Sequence, residues 1–395
     1  MEPHTPRLKW VVSIATIFVT VLTIIFGNIS TASAASLPGP LPGSIFEGGD
    51  GNLTVDTSGN TDWSNVKGVN IGIDLTSGST DNSFGQGAKE DLPNPSVVFG
   101  SIPPNKNDLT RFYEASEFSN NNNFLYLAWE RAVNIGSADI DFEINHLQCS
   151  TATPSNCDGN GVTTARTAGD LLVLFEFSGS GTPTIQISKW VTSGTNAKAD
   201  CEAGGPYPCW GAVQTLNNTD SEAAVNTSTV QDPLNNNASL TAGLFGETAI
   251  NLTAAGVFPS GQCTHFGSAY TKARTSGSSF DSELKDFIAP IPVNISNCGE
   301  IKIHKITQPA GGTGFNFTTT GASPVTGFSL DDGGLKDFTN APTGNYTVTE
   351  SAKTGWDFVS LACTATGAGT TATPASSTTN TTASITISPD GVADC

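Results

Sequence analysis

Basic residues are scarce in this sequence: 17 Lys and Arg stand against 36 Asp and Glu among 395 residues, for a formal net charge of −19. A phosphate backbone is held by clustered Lys and Arg, so the deficit excludes nucleic acid as a partner. Charged residues of either sign make up 13% of the chain, too few for a helical cytosolic enzyme. Gly, Asn, Ser and Thr are abundant instead, the balance of an exported β protein with many polar turns. Cys-x-x-Cys and Gly-x-Ser-x-Gly are absent, and His146, His265 and His304 stand in no zinc-type repeat. Those absences exclude thiolate zinc sites and a hydrolase nucleophile elbow.

One long apolar run is present, from Trp10 to Phe26, preceded by Arg7 and Lys9 and followed by Ala32-Ser33-Ala34. That order reads as a secretory signal peptide over residues 1–34, the alternative being an uncleaved anchor, since the run approaches the length of a membrane span. Cleavage would leave about 360 residues, enough for two or three domains, and would place them outside the cell with no further membrane contact. The sequence carries no Leu-Pro-x-Thr-Gly signal, carboxy-terminal apolar span or basic tail. The expectation is therefore release after cleavage, or a natural chain that continues past Cys395.

The cysteine count is 8, an even set in a compartment where disulfides persist. They fall into four sequence-local pairs: Cys149 with Cys157, Cys201 with Cys209, Cys263 with Cys298 and Cys363 with Cys395. Short loops lose least entropy on closure, which favours these neighbours although spacing alone does not fix connectivity.

Residues 35–43 are a Pro/Gly spacer that cannot join a sheet interior. From residue 44 to 298, short apolar or alternating runs are separated by Gly, Asn, Asp and Pro clusters. The runs Phe124 to Trp129 and Leu171 to Phe175 are apolar on both faces and predict central strands covered on each side. Ile140, Phe142 and Ile144 alternate with Asp139, Asp141, Glu143 and Asn145, predicting one buried face and one wet face. Two packed sheets accommodate both kinds of strand, so the head is expected to be a jelly-roll-like β-sandwich. A short helix is expected near Asp281 to Phe287. Pro290, Pro292 and Cys298 mark the boundary to a second unit over residues 299–395. Its expected strands include Asn345 to Glu350 and Trp356 to Thr364, and Thr366 to Thr382 reads as a low-complexity loop.

In that second unit stand Glu300-Ile301-Lys302-Ile303-His304-Lys305, Asp332-Gly333-Gly334-Leu335-Lys336-Asp337-Phe338 and Gly344-Asn345-Tyr346-Thr347-Val348-Thr349-Glu350. With these landmarks it resembles the Cna-B or SpaA-type prealbumin-like (transthyretin-like) domain of bacterial surface proteins. The resemblance implies a first-strand lysine able to form an isopeptide bond beside a buried glutamate, chemistry that needs a desolvated amine. Lys302 matches that lysine, with Lys305 a second choice, and Glu350 matches the glutamate. Asp390 and Asp394 are late acceptor candidates outside any recognisable motif. The alternative is a disulfide-stapled domain in which Lys302 and Glu350 form an ion pair. The amino-terminal unit, with Phe46-Glu47-Gly48-Gly49-Asp50-Gly51-Asn52 and Ser83-Phe84-Gly85-Gln86-Gly87, looks like uncharacterised head domains of actinobacterial-type secreted surface proteins.

Three constellations in the head suggest chemistry. Asp139, Asp141 and Glu143 place three carboxylates on one strand face, similar to the Glu-x-Asp-x-Glu strand of jelly-roll β-glucanases, though with Asp at the first position. Asp50, Asn52, Asp56 and Asp62 gather oxygen ligands in a Gly-rich loop, which suits calcium or ordinary Asx turns. No other cofactor is expected. Trp210, beside Cys209 and a Pro-rich loop, is a candidate platform for stacking on a sugar, whereas Trp129 and Trp190 read as core. The sequons at Asn226, Asn237 and Asn345 matter only in a host that glycosylates them. Together these readings predict a non-enzymatic, secreted or cell-surface structural and adhesive protein whose head contacts polysaccharide, matrix or a neighbouring cell, with the small module as spacer. The alternative is a glycoside hydrolase-like enzyme using Asp139, Asp141 and Glu143.

Overall fold

A computed structural model describes residues 39–76, 78, 81–100, 105–134, 138–177, 182–259, 261–275, 280, 282–374 and 381–395. The signal-peptide segment and the start of the spacer lie outside the described residues. Leu37–Cys395 form one unit.

The alternation read along the strands is what builds the head. Leu171, Val173 and Phe175 point into the main core while Leu172 and Leu174 point the other way, against Trp190 and Trp210. Leu125, Leu127 and Trp129 share that main core, and Phe124, Tyr126 and Ala128 face a second apolar layer with Phe46, Leu53 and Trp63. Both strands are thus covered on both faces, as their composition requires.

The core lies between two antiparallel sheets. The five-stranded sheet runs in the order Asn70–Ile73, Leu109–Ser119, Asn122–Arg131, Phe245–Asn251, Ser221–Val225. The larger, nine-stranded sheet runs Gln214–Thr215, Thr184–Val191, Leu171–Phe177, Ala138–Asn145, His265–Arg274, Leu284–Ser296, Asn82–Phe84, Val97–Phe99, with Cys209–Trp210 attached beside Thr184–Val191. Close approach fixes one residue type: a Cβ on Gly246 would lie 2.4 Å from the Trp129 ring, so the indole requires glycine there.

The expected helix near Asp281 is absent from its described part. Leu284–Ser296 is a single strand running through Pro290 and Pro292. Register shifts against His265–Arg274 at this point supply the bulges at which a sheet tolerates proline.

From Cys298 onward the chain carries a four-stranded and a five-stranded sheet around a core that includes Ile301, Ile303, Phe315, Phe317, Tyr346, Val348, Ile385 and Ile387. Cys298–His304 pairs in parallel with Val392–Asp394 and antiparallel with Leu335–Pro342. Two expectations fail here. Residues 356–363 form no strand; they cover part of the module core, where Trp356 sets its ring edge-on to Phe315 at 5.3 Å and Leu361 and Cys363 pack against the same core. The low-complexity stretch does contain a strand, Thr371–Pro374, which extends the sheet beside Thr382–Ile387. All four disulfides join the neighbouring cysteines: 149 with 157, 201 with 209, 263 with 298 and 363 with 395.

Candidate metal centre and buried charge layer

The acidic strand face is not wet. Asp139 is 8% exposed and Asp141 and Glu143 are fully buried, because loops and Trp210 cover the outer face of the larger sheet. The neighbouring strand supplies matching charge: Tyr270 lies opposite Glu143, Lys272 opposite Asp141 and Arg274 opposite Asp139. Lys272 Nζ donates to Glu143 and to Glu90, each at 2.5 Å, and Tyr270 OH donates to Glu143 at 2.7 Å. Arg166 forks onto Glu143 with bonds of 2.9 and 2.8 Å, and Arg274 donates to Asp141 from two nitrogens. Burial pushes the Glu143 carboxyl upward, but Arg166 and Lys272 outweigh it and hold the group well below the usual range. Burial dominates at Asp141, which is pushed up to about 7 despite Arg274.

Glycoside hydrolysis needs two carboxyls facing a sugar across an open cleft. Here Asp141 and Glu143 are closed in and ion-paired, with Asp139 buried beside them, so this face is a buried charge layer without the open cleft that reaction needs. Trp210 belongs to the same layer and is not a sugar platform. Its ring is fully buried, its Nε1 donates to the Glu90 carbonyl at 3.1 Å, and the Arg166 guanidinium sits 4.9 Å from its centre. Trp129 and Trp190 are buried, as expected of core.

In the small module, Lys302 is not beside Glu350. It projects from the first strand toward Glu300, 2.7 Å away, and remains partly exposed. The lysine that meets Glu350 is Lys305, just past the strand end, at 2.6 Å and over the Phe315 ring. Asp390 accepts from Asn294 at 2.6 Å and Asp394 lies 3.2 Å from His304, so both late carboxylates are engaged elsewhere. His304 is exposed on its strand.

The oxygen-rich loop over residues 46–66 is pinned to the outer face of the five-stranded sheet by Phe46, which stacks on Tyr126, and by Trp63. Two of the four expected ligands converge there. Asp50 and Asp62 meet Glu47, with one carboxylate oxygen from each within 4.8 Å of the others. Asn52 and Asp56 instead bond each other at 3.2 Å, and Asn52 Oδ1 caps Thr54. These are turn bonds facing solvent, the Asx alternative noted above.

Below the loop lies Glu247, fully buried, accepting from Gly51 N at 2.7 Å and from Trp63 Nε1 at 2.9 Å. Asp50 Oδ2 and Asp62 Oδ2 have no hydrogen-bond partner. Burial first, then the neighbouring carboxylates, pushes Asp62 up to about 8. Burial likewise takes Asp50 to about 6 and Glu247 well above its ordinary value. Glu47 goes the other way, since bonds from Asp56, Asn60 and Thr57 overcome burial. Crowded carboxylates of this kind hold either protons or a cation. Glu47 and Glu247 were missed in the sequence because they stand outside the Asp/Asn-rich turn, and Glu247 comes from a strand nearly 200 residues away.

Residues 301–395 match the family described as a prealbumin-like fold domain. Among solved structures, a bacterial adhesin of Mobiluncus mulieris containing intramolecular disulfide, isopeptide and ester bond cross-links is 12% identical, covering 73% of this chain and 91% of that one at a TM-score of 0.21. The major pilin subunit BcpA of Bacillus cereus is 11% identical, with 81% and 67% covered and a TM-score of 0.22. With TM-scores this low, neither likeness bears on this chain's fold or function. Among curated proteins, none matches the chain. The carboxy-terminal quarter is therefore a prealbumin-like domain, and the described residues are nearly all β.

Proposed function

We propose that this chain is an extracellular, cell-surface structural protein whose head makes adhesive contacts and whose prealbumin-like module acts as a stiff spacer. The junction between the two carries the reading. The strand Leu284–Ser296 gives way to Cys298–His304 across one residue, Asn297, which is buried. Asn297 exchanges bonds with Thr264, donates to the Gln262 carbonyl and accepts from Thr343 N. The Cys263–Cys298 bridge and the Asn294 to Asp390 bond brace the same point. Hinges are built from a few residues free to change φ and ψ, and this joint removes that freedom. Four disulfides and a prealbumin-like domain further support an oxidising, outside location.

Contact side chains are sought on sheet edges, where Ile73 on Asn70–Ile73 and Phe99 on Val97–Phe99 are 58% and 56% exposed. Such edges offer unpaired backbone and apolar surface to a partner. The test is co-sedimentation of residues 35–395 with insoluble polysaccharide, cell-wall material and immobilised matrix proteins, with calcium and with chelator. Selective retention that falls at least about fivefold in Phe99→Ser, with an unchanged melting temperature, is the expected result. No retention on any surface would overturn adhesion and leave a passive spacer.

A further inference from the structure

A second acidic cluster lies in the head, apart from the loop over residues 46–66. Asp74 follows the strand Asn70–Ile73, Asp81 precedes Asn82–Phe84, Asp108 precedes Leu109–Ser119, and Asp286 lies within Leu284–Ser296. One carboxylate oxygen from each of Asp74, Asp81 and Asp286 lies within 4.8 Å of the other two. Asp81 and Asp286 are fully buried, and Asp74 and Asp108 nearly so.

Some of their oxygens are used. Asp286 Oδ2 accepts from Leu109 N at 2.6 Å, and Asp74 Oδ1 accepts from Leu75 N at 2.8 Å and weakly from Asn82 Nδ2. The rest are not: Asp74 Oδ2, both Asp81 oxygens, Asp108 Oδ1 and Asp286 Oδ1 have no partner, and neither does Asn107 Oδ1. Among the described residues no Lys, Arg or His forms an ion pair with any of the four. Buried polar groups are nearly always satisfied, and buried charges are paired or coordinate metals. Four orphaned carboxylate oxygens on three converging aspartates, with the Asp108 carboxylate a close neighbour, are the donor set of a hard cation.

We propose that Asp74, Asp81 and Asp286, with Asp108 beside them, bind one calcium ion that ties together the starts and ends of four strands. Calcium takes six to eight oxygens at roughly 2.3–2.6 Å, so that oxygens sharing one ion stand up to about 5 Å apart. The observed limit fits that shell. Magnesium keeps several waters and dehydrates reluctantly, which a fully enclosed Asp81 and Asp286 do not favour. This site does not depend on the Glu47–Asp50–Asp62 cluster.

Isothermal titration of calcium into the chelator-treated, disulfide-intact chain tests it, using wild type, Asp81→Asn and Asp62→Asn, with thermal unfolding alongside. Wild type should take up two equivalents. Asp81→Asn should lose one of them with its share of the calcium-induced rise in melting temperature. In chelator it should melt at or above wild type, since it removes charge from a crowded cluster and breaks no hydrogen bond. One equivalent, lost in Asp81→Asn but kept in Asp62→Asn, would uphold this site and discard the other. Calcium uptake by Asp81→Asn equal to wild type, no uptake by wild type, or a melting temperature of Asp81→Asn below wild type in chelator would each overturn the proposal.

Discussion

At the scale of single residues, the decisive positions are those where charge is sealed in. Lys272 is fully buried and its ammonium bridges Glu90 and Glu143, with Trp210 and Tyr270 around it. Removing Lys272 leaves Glu143 with Arg166 as its remaining cation and Glu90 with only a 3.5 Å contact to Arg166, and breaking a buried pair of this kind costs about 3–5 kcal/mol. Lys272→Met should therefore lower the head's unfolding free energy by that amount in a guanidinium titration, although methionine fills similar space. A loss under about 1 kcal/mol would show that the layer is not energetically coupled. The error about this face has a readable cause. Alternation along Asp139 to Asn145 does mark two chemically distinct faces, but polarity alone does not make a face exposed. The missing signal stands in Tyr270, Lys272 and Arg274, a neutral donor and two cations at the same spacing on a strand that pairs with it. Glu90 and Arg166 come from loops and carry no periodic mark, so no pattern could have placed them.

At the scale of elements, strands that are apolar on both faces were legible because period-two burial leaves no ambiguity when every position is apolar. Irregular elements were not. Leu284–Ser296 looked helical at its start and interrupted at its prolines, and only pairing on both sides shows it to be one strand. The hairpin of Leu109–Ser119 and Asn122–Arg131 places ionisable groups in an apolar layer, and this has a consequence for pH. Glu114 accepts from Asn70 at 2.7 Å and is pushed by burial up to about 7. Glu130 lies with Tyr113 and Asp232, and burial, then Asp232, pushes it up to about 8. Both folded values are raised above the unfolded ones. The stability these groups contribute is thus fully present below about pH 4.5 and is lost progressively as pH rises through 7 to 8. With calcium saturating, denaturant midpoints should fall from pH 5 to pH 8. Glu130→Gln should flatten that slope by an amount on the order of a few kcal/mol across the range. Midpoints that climb over the same interval would contradict the assignment. Glu143, held low, acts in the opposite sense, and its contribution disappears only in acid.

At the scale of the whole molecule, the apolar clusters on the two sides of Asn297 share no residue: the main head core ends at Ile295 and the module core begins at Ile301. Cooperative unfolding of the two parts must then pass through the junction. Its strongest element is the Cys263–Cys298 bridge, with a sequence separation of 35. Closing a loop of that length restricts the unfolded chain by roughly 3–4 kcal/mol in the chain-entropy account. Asn297, with partners in Gln262, Thr264 and Thr343, then holds the backbone in one orientation. Replacing both cysteines by serine should do more than lower a melting temperature. Calorimetry should resolve the module from the head as separate transitions, where the intact chain gives overlapping ones. Replacing Cys363 and Cys395 instead should lower the module's transition and leave the junction coupled, because that bridge lies wholly within the module. If the Cys263/Cys298 double variant kept the wild-type shape and temperature, the bridge would not be what stiffens the joint, and the spacer reading would lose its main support.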